Sequence, residues 1–242
     1  MVVYLKNKHT PIFSVIIPAL NEEKYIKYSL QGLMRQIDKD FEIIVVDGGS
    51  KDKTKSIAKR YAKVVTDLKP GAAHSRNTGA KIAKGKYFVF LDADTKPSRG
   101  LIAEYLKAFS DNKTVAATGP VLPLERTNRS IRMGYKFVSV YFAKFMLMFG
   151  RPSVNGMNFA VKRDAFEAVG GFNDNFKTYE DWDLSRRLAK IGKIAFYPNA
   201  VVYTSVRRIK AWGILGFTRY HVGNMLRYFF LKKPKEEYEA IR

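Results

Sequence analysis

A chain of 242 residues, 46% of them hydrophobic, has ample apolar material for one large α/β domain or two small ones, which excludes a mainly disordered chain. It contains no cysteine, which rules out a disulfide framework and thiolate metal sites. A net charge of +21, from 43 Lys and Arg against 22 Asp and Glu, calls for an anionic partner: nucleic acid, nucleotide phosphates or an acidic membrane surface. No N-terminal run has the pattern of a secretory signal, so a cytoplasmic protein is expected.

In chain order, residues 13–18 form a buried-strand pattern, and Asn21 is placed to cap the helix that follows. Tyr25, Ile26, Ser29, Leu30, Leu33, Met34 and Ile37 recur at helical spacing. A second unit begins with the strand 41–46 and the turn Asp47-Gly48-Gly49-Ser50. Asp52 or Ser50 then caps a helix that buries Ile57, Ala58, Tyr61 and Ala62. Val64-Val65 is a short strand, and 71–83 a helix carrying Arg76 and Asn77. The apolar run 87–91 is a buried strand ending in Asp92-Ala93-Asp94. Repeated strand, turn and helix units predict a doubly wound, mostly parallel sheet, and ligands bind such sheets at the carboxyl ends of the strands. Residues two apart in extended chain point the same way, so Asp92 and Asp94 can reach one ligand. Hard divalent cations take one or two carboxylates plus substrate phosphates. The pair therefore suggests a metal holding a nucleotide diphosphate; the alternative is a solvated turn capping the next helix.

Farther on, Leu101 to Phe109 is a helix and 115–120 a strand. In 131–149, Arg132, Lys136, Ser139 and Ala143 share one narrow face of a helix whose other faces are apolar. Its cations argue against a transmembrane span, which needs about 20 predominantly apolar residues. It is either buried in the protein or lies in a membrane interface. Residues 155–161 suggest a strand entered by a tight turn, and Asp164 caps the helix 165–169. Glu180, Asp181 and Asp183 open a helix, where the macrodipole alone would favour acids. Residues 194–203 are expected to form one strand, 204–208 a polar basic turn, and 212–231 a helix with Leu215, Val222, Leu226 and Phe229 on one arc. A loose charged tail is expected from Lys232.

Taken together, Ser14-Val15-Ile16-Ile17-Pro18-Ala19-Leu20-Asn21-Glu22, Val46-Asp47-Gly48-Gly49-Ser50, Arg76-Asn77-Thr78-Gly79-Ala80, Leu91-Asp92-Ala93-Asp94-Thr95, Gly170-Gly171-Phe172 and Glu180-Asp181-Trp182-Asp183-Leu184 resemble, in order and spacing, the family 2 inverting glycosyltransferases of the GT-A fold. The likeness covers roughly the first four fifths of the chain, and Thr204 to Arg208 resembles an arginine pair found in some members. It implies a GT-A domain over 1–208, with a donor-binding half at about 11–120 and an acceptor half at about 121–208. Residues 209–242 would be an amphipathic helix and tail.

The same resemblance implies a nucleotide-diphosphate sugar donor, UDP or GDP based. Pro18, Asn21 and Glu22 would line the nucleotide pocket, Asp47 would bond the base, and Arg76 would lie near the diphosphate. Asp92 would lie by the ribose or metal, and Asp94 would ligate Mg²⁺ or Mn²⁺. Asp181 would be the general base, with Glu180 next in line. Such transfer is an in-line displacement, in which a base takes the acceptor's proton while cations stabilise the departing diphosphate. Two departures stand out. Many members carry a second Asp at the base-binding turn, where this chain has Gly48, and many supply a histidine ligand after the last core strand, where this chain has none. His221 falls within a helix, and His9 and His74 are poorly placed, so Arg207 and Arg208 are expected to share the diphosphate charge.

Mixed aromatics and cations in 131–149 and 212–231 predict a protein resting on the cytoplasmic face of the cell membrane, on an anionic lipid surface, with a lipid-linked or membrane-proximal glycan acceptor. The alternative is that these helices close the acceptor side or form a homodimer. Three other classes fit the sequence less well. A nucleic-acid-binding module suits the charge, but the cations are dispersed and no nucleic-acid motif appears, so no nucleic-acid partner is expected. A dinucleotide oxidoreductase would need a glycine fingerprint after the first strand, where Pro18-Ala19-Leu20-Asn21 stands. A catalytically silent nucleotide-sugar sensor would keep the fold without the chemistry.

Overall fold

The computed structural model describes residues 10–150, 154–176 and 178–231, with side chains of the last helix described through Asn224 and at Arg227. The charged tail from Lys232, and the side chains of Leu226, Tyr228, Phe229 and Phe230, lie outside the described residues.

Four apolar runs form the parallel strands β1 (Phe13–Ala19), β2 (Phe41–Asp47), β3 (Lys63–Thr66) and β4 (Tyr87–Leu91), side by side as β3-β2-β1-β4. The sheet continues through β8 (Asn158–Lys162), antiparallel to both neighbours, to β6 (Thr114–Thr118) and β9 (Lys193–Phe196). All five residues of β4 are buried, so its run is apolar throughout and its alternate side chains feed two cores. Tyr87, Val89 and Leu91 join α1 (Ile26–Met34), α2 (Thr54–Ala58) and α4 (Leu101–Ala108) on one face. Phe88 and Phe90 join Phe159, Phe166 and Phe172 on the other, under α3 (Ala72–Ile82), α7 (Arg163–Ala168) and α8 (Glu180–Leu188). α3 lies close on the sheet at Gly79, where a Cβ would come within 2.4 Å of Ile16. The order in which successive strands are added reverses between the parallel β1 and β4, which opens a crevice at their carboxyl ends.

A second, small sheet has the order β5-β10-β7, from β5 (Thr95–Pro97), β7 (Val121–Pro123) and β10 (Val202–Thr204). The expected single strand at 194–203 is therefore two strands in different sheets, broken at Pro198-Asn199. Asn158, fully buried, staples the sheets together: its amide donates to the carbonyls of Pro120 and Ala200, and its Oδ1 accepts from the Tyr105 hydroxyl at 2.6 Å. Tyr105 is correspondingly pushed well above the usual phenol range by burial.

Several local expectations change. α1 starts at Ile26 with Tyr25, not Asn21, at its cap, and Ile37 lies beyond it, 71% exposed. Asp164 sits inside the first turn of α7, not before it. The segment expected at 131–149 is a helical arm of α5 (Arg129–Lys136), a π turn (Phe137–Phe142) and α6 (Ala143–Met148). Among the described residues none of the arm is fully buried, and its contact with the core is through the half-buried Tyr135, so the described core covers one side of it only. The expected turn at 204–208 is instead the entry to α9 (Arg207–Leu231), kinked at Gly213 (φ 68°). Leu215 and Val222, expected on one arc of this helix, are 82% and 43% exposed. Among the described residues, no helix is long and apolar enough to cross a membrane.

Candidate active site

The loops after β1 and β2 are zipped together by side-chain to backbone bonds. Asn21 donates its N–H to Ser50 Oγ (2.9 Å) and accepts from Lys51 N–H at Oδ1 (2.8 Å). Glu22 N–H donates to Thr54 Oγ1, Glu23 N–H to Asp52, and Lys53 N–H to Glu23. Asn21 does this with φ 53°, a left-handed backbone that asparagine tolerates better than most residues. Asp47 is 1% exposed, and its carboxylate accepts the N–H groups of Gly49 and Ser50, so it shapes the turn. Pro18, one residue before the end of β1, keeps the strand extended into this loop.

Each aspartate of Asp-Ala-Asp is held by an arginine from a distant helix. Arg76 on α3, 4% exposed, donates to Asp92 at 2.8 Å and to Glu180 at 2.7 Å, with its guanidinium 5.4 Å from the Phe172 ring. Arg207, at the start of α9, forks both nitrogens onto Glu22 at 2.6 Å, lies 3.2 Å from Asp94 and rests over the Tyr25 ring at 5.2 Å. These carboxylates hold both arginines more firmly protonated than usual, against the opposing effect of burial. The small sheet makes the second unit possible. β5 leaves Asp94 directly and pairs with β10, so that Ser205 N–H donates to the Asp94 carbonyl and Arg207 follows two residues later. Glu125 fixes that corner by accepting from Ser205 Oγ and Val206 N–H, both at 3.0 Å. A cleft of about 200 Å³ lies between these loops, lined by Asn21, Glu22, Tyr25, Asp52 and Arg207 among others.

Asp94 is pushed up to about 6, by burial first and then by the charges of Asp92 and Glu22, with Arg207 and Arg208 opposing. An excess of buried negative charge at two strand-end carboxylates fits a divalent cation, which would relieve it. Among the described residues no three His, Asp or Glu side chains converge as a ligand set, so the donor set matches a cation completed by phosphate and water. His221 does not supply a third ligand: burial and Arg208 lower it to about 4, and its ring lies against Phe217 within α9. His74 is spent between Asp67 (2.9 Å) and Asp174 (2.8 Å).

Asp181 lies one residue past Glu180 in the first turn of α8. Its Oδ2 accepts from Gly156 N–H and its Oδ1 from Trp182 N–H, both at 2.9 Å. Burial, then the Glu180 charge, push it up to about 7, with those hydrogen bonds and Arg76 opposing. Glu180 itself is tied to Arg76, and Asp183 to Arg187 at 2.8 Å, which among the described residues leaves Asp181 as the member of the trio not paired by an arginine at hydrogen-bond distance. Tyr179 precedes them with φ 63°, a costly backbone for an aromatic residue, held by its hydroxyl on the His221 carbonyl at 3.0 Å.

The structure thus gathers Asn21, Glu22, Arg76, Asp92, Asp94, Glu180, Asp181 and Arg207 at one end of the sheet. Arg76, expected near the diphosphate, is a buried bridge between Asp92 and Glu180. Arg208 lies within electrostatic reach of Asp94 and His221. Sequence reasoning missed Tyr25, Glu125, Gly156 and Tyr135. Only Gly156 had a signal, its Asn-Gly turn: a Cβ there would stand 3.2 Å from Arg76 Nη2 and 3.4 Å from Asp181 Oδ2. Tyr135 on α5, pushed up to about 12 by burial and by the charges of Asp94 and Glu125, brings the exposed arm to the same site.

Comparison with known proteins agrees with this geometry. The family model described as glycosyl transferase family 2 matches residues 14–170, and the one described as the N-terminal domain of galactosyltransferase matches 136–210. A PGL/p-HBAD biosynthesis glycosyltransferase of Mycobacterium tuberculosis is 30% identical over 73% of this chain and 69% of its own. An uncharacterized glycosyltransferase of Rickettsia prowazekii is 27% identical over 79% of this chain and 63% of its own. The chain thus spans about two thirds of the length of these relatives, and 51% of a probable glycosyltransferase, YdaM, of Bacillus subtilis. Among solved structures, S. aureus TarS superposes with a TM-score of 0.64 at 19% identity, over 90% of this chain and 44% of TarS. The mannosyltransferase PcManGT of Pyrobaculum calidifontis, in complex with GDP-Man and Mn²⁺, gives 0.63 at 22% identity, over 89% of this chain and 65% of its own. Those likenesses bear out the expected GT-A architecture. With the family's model matching well over half of its length, this chain belongs to glycosyl transferase family 2.

Proposed function

We propose that this chain is an inverting glycosyltransferase that moves a sugar from a UDP- or GDP-linked donor to a hydroxyl of a lipid-linked or membrane-proximal glycan, at the cytoplasmic face of the cell membrane. The observation that carries the reading is Asp181: a carboxyl group poised near 7, beside but not part of the arginine pairs that hold Asp92 and Asp94. A base of that pKa can take a proton from an acceptor hydroxyl near neutral pH. Support for a nucleotide-sugar donor comes from relatives of this fold solved with GDP-Man and with UDP-GlcNAc.

In this reading the zipped loops at Asn21 and Ser50, with Asp47 shaping the turn, receive the nucleotide. Asp94 and Asp92 would hold Mg²⁺ or Mn²⁺, which supplies Lewis-acid neutralisation of the leaving diphosphate. Arg207 and Arg208 border the same space, and the planar fork of Arg207 suits phosphate oxygens as well as it suits Glu22. Arg76 acts through its partners, fixing Asp92 on the donor side and Glu180 on the acceptor side. Asp181 abstracts the acceptor proton as the hydroxyl attacks the anomeric carbon, and the bond to the diphosphate breaks on the opposite face.

A thermal-shift panel of UDP, GDP, CDP and dTDP sugars with Mn²⁺ tests the donor, because a ligand bound only by the native state raises the melting temperature. Stabilisation by UDP or GDP sugars, together with transfer to a lipid-linked acceptor, is expected. Stabilisation without transfer to any lipid-linked or soluble glycan would favour a silent nucleotide-sugar binder.

A further inference from the structure

The helical arm 129–148 has one side that nothing in the described structure covers. Met133, Phe137, Tyr141, Phe145 and Phe149 follow at four-residue intervals, each between 51% and 62% exposed. In a regular helix each such step overshoots a full turn by about 40°, so the row would wind around the helix. The wider π turn at Phe137–Phe142 takes up part of that drift. Ring contacts between Phe137 and Tyr141 (6.4 Å) and between Phe145 and Phe149 (4.6 Å) make two aromatic pairs along the row. Arg129, Arg132 and Lys136, all exposed, are spaced three and four apart and flank it on one face. No Asp or Glu occurs between Glu125 and Asp164. The inner side of the arm carries Tyr135, which packs on the core and senses the charge of Asp94.

We propose that this arm is the chain's lipid-docking element, lying in the plane of an anionic bilayer surface with its aromatic ridge among the acyl chains and its cations at the headgroups. An aromatic and aliphatic ridge edged only by cations is complementary to anionic lipid. It would meet repulsion from most basic partners, including a second copy of this +21 chain. Geometry then constrains the substrate, in a step that rests on the transferase reading. With Tyr135 on the upper side and the ridge below, the donor carboxylates stand about one helix diameter, ~10 Å, above the lipid plane. The acceptor that reaches them is an amphiphile held in that same surface, whose reacting hydroxyl projects by about that height, not a free sugar.

Flotation with vesicles of neutral phosphatidylcholine and rising phosphatidylglycerol content tests the docking. Binding should rise with the anionic fraction and fall with salt. The triple variant R129Q/R132Q/K136Q should weaken it about 100-fold, near fivefold per cation. The variant F137S/F145S should abolish it while leaving the Mn²⁺-dependent thermal shift with nucleotide sugars intact, which separates this proposal from the donor reading. Phe145→Trp provides a direct report: its emission should shift to the blue on anionic vesicles. Binding unaffected by either variant, or no binding at any composition, overturns the proposal. A dimer that dissociates in F137S/F145S, with no lipid binding by the parent chain, overturns it in favour of a second copy as occupant.

Discussion

The two walls of the cleft are built on different principles. On the donor wall, the ends of β1 and β2 are joined by bonds involving Asn21, Asp47, Asp52 and Thr54, most of them side chain to backbone. The opposite wall, made of the small sheet and α9, meets the first through charge pairs such as Arg207 to Glu22, 185 residues apart in sequence. A wall closed by backbone bonds is preorganised whether or not a ligand is present. One closed by arginines on carboxylates can exchange those partners for the phosphates and cation of a ligand, because the same donors and acceptors suit both. Arg76 stands between these cases: it is an ion pair, but one buried so deeply that it behaves as scaffold.

That contrast can be broken at several points. The largest effect is expected from Asp181→Asn, which should lower turnover by ~10²–10⁴ while leaving donor-induced thermal stabilisation unchanged. Near-normal turnover in this variant would move the base to Glu180 or Asp183. Next, Arg76→Ala leaves Asp92 and Glu180 without their buried partner and should cost about 3–5 kcal/mol in urea unfolding. Arg207→Ala, at the more accessible wall, should cost about 1.5–3 kcal/mol, the worth of charged hydrogen bonds, and should fall mainly on activity. Equal losses of stability from the two arginine variants would erase the distinction between scaffold and exchangeable pair.

A pH series sharpens the same comparison from the carboxylate side. Asp181 titrates near 7 in the folded protein against 3.8 in an unfolded reference, so between those values the folded chain holds a proton that the unfolded chain has released. Its ionisation therefore erodes stability as pH rises through that window. Asp181→Asn should melt close to the parent at pH 4 and above it at pH 8, by ~1–3 kcal/mol. Parallel curves would show that Asp181 is ionised without penalty. The smallest effect is expected from Asp94→Asn, which should weaken Mn²⁺-dependent donor binding on the order of tenfold, 1.4 kcal/mol, in a titration followed by fluorescence.

Much of the donor wall is legible in the sequence because its elements are long and carry their own signals. Continuous apolar runs mark β1, β2 and β4, and Asp92-Ala93-Asp94 marks a strand end. The other wall leaves almost none. β5, β7 and β10 are three residues each, too short for a period to emerge, and β10 is hidden in what looks like one strand with β9. The apolar face of 129–148 is plain in the sequence, but whether a core covers it depends on where the chain returns. The roles of Arg76 and Glu125 depend likewise on partners 104 and 80 residues away. For Asn21, the local rule that asparagine caps helices competes with the same side chain's ability to bind a neighbouring loop in a left-handed backbone, and the second prevails.

The kink at Gly213 divides α9 into a short arm bearing Arg207 and Arg208 and a long arm that holds the entrance to α8, through the His221 carbonyl on Tyr179 and Asn224 on Thr178. A straight helix would transmit any rotation of its first turn to its last, so loosening Arg207 from Glu22 would also disturb the approach to Asp181. A glycine joint interrupts that transmission. The two ends of α9 can therefore be tuned separately in descent: substitutions along the long arm can reshape what reaches Asp181, while the arginines at its root keep their hold on the donor side.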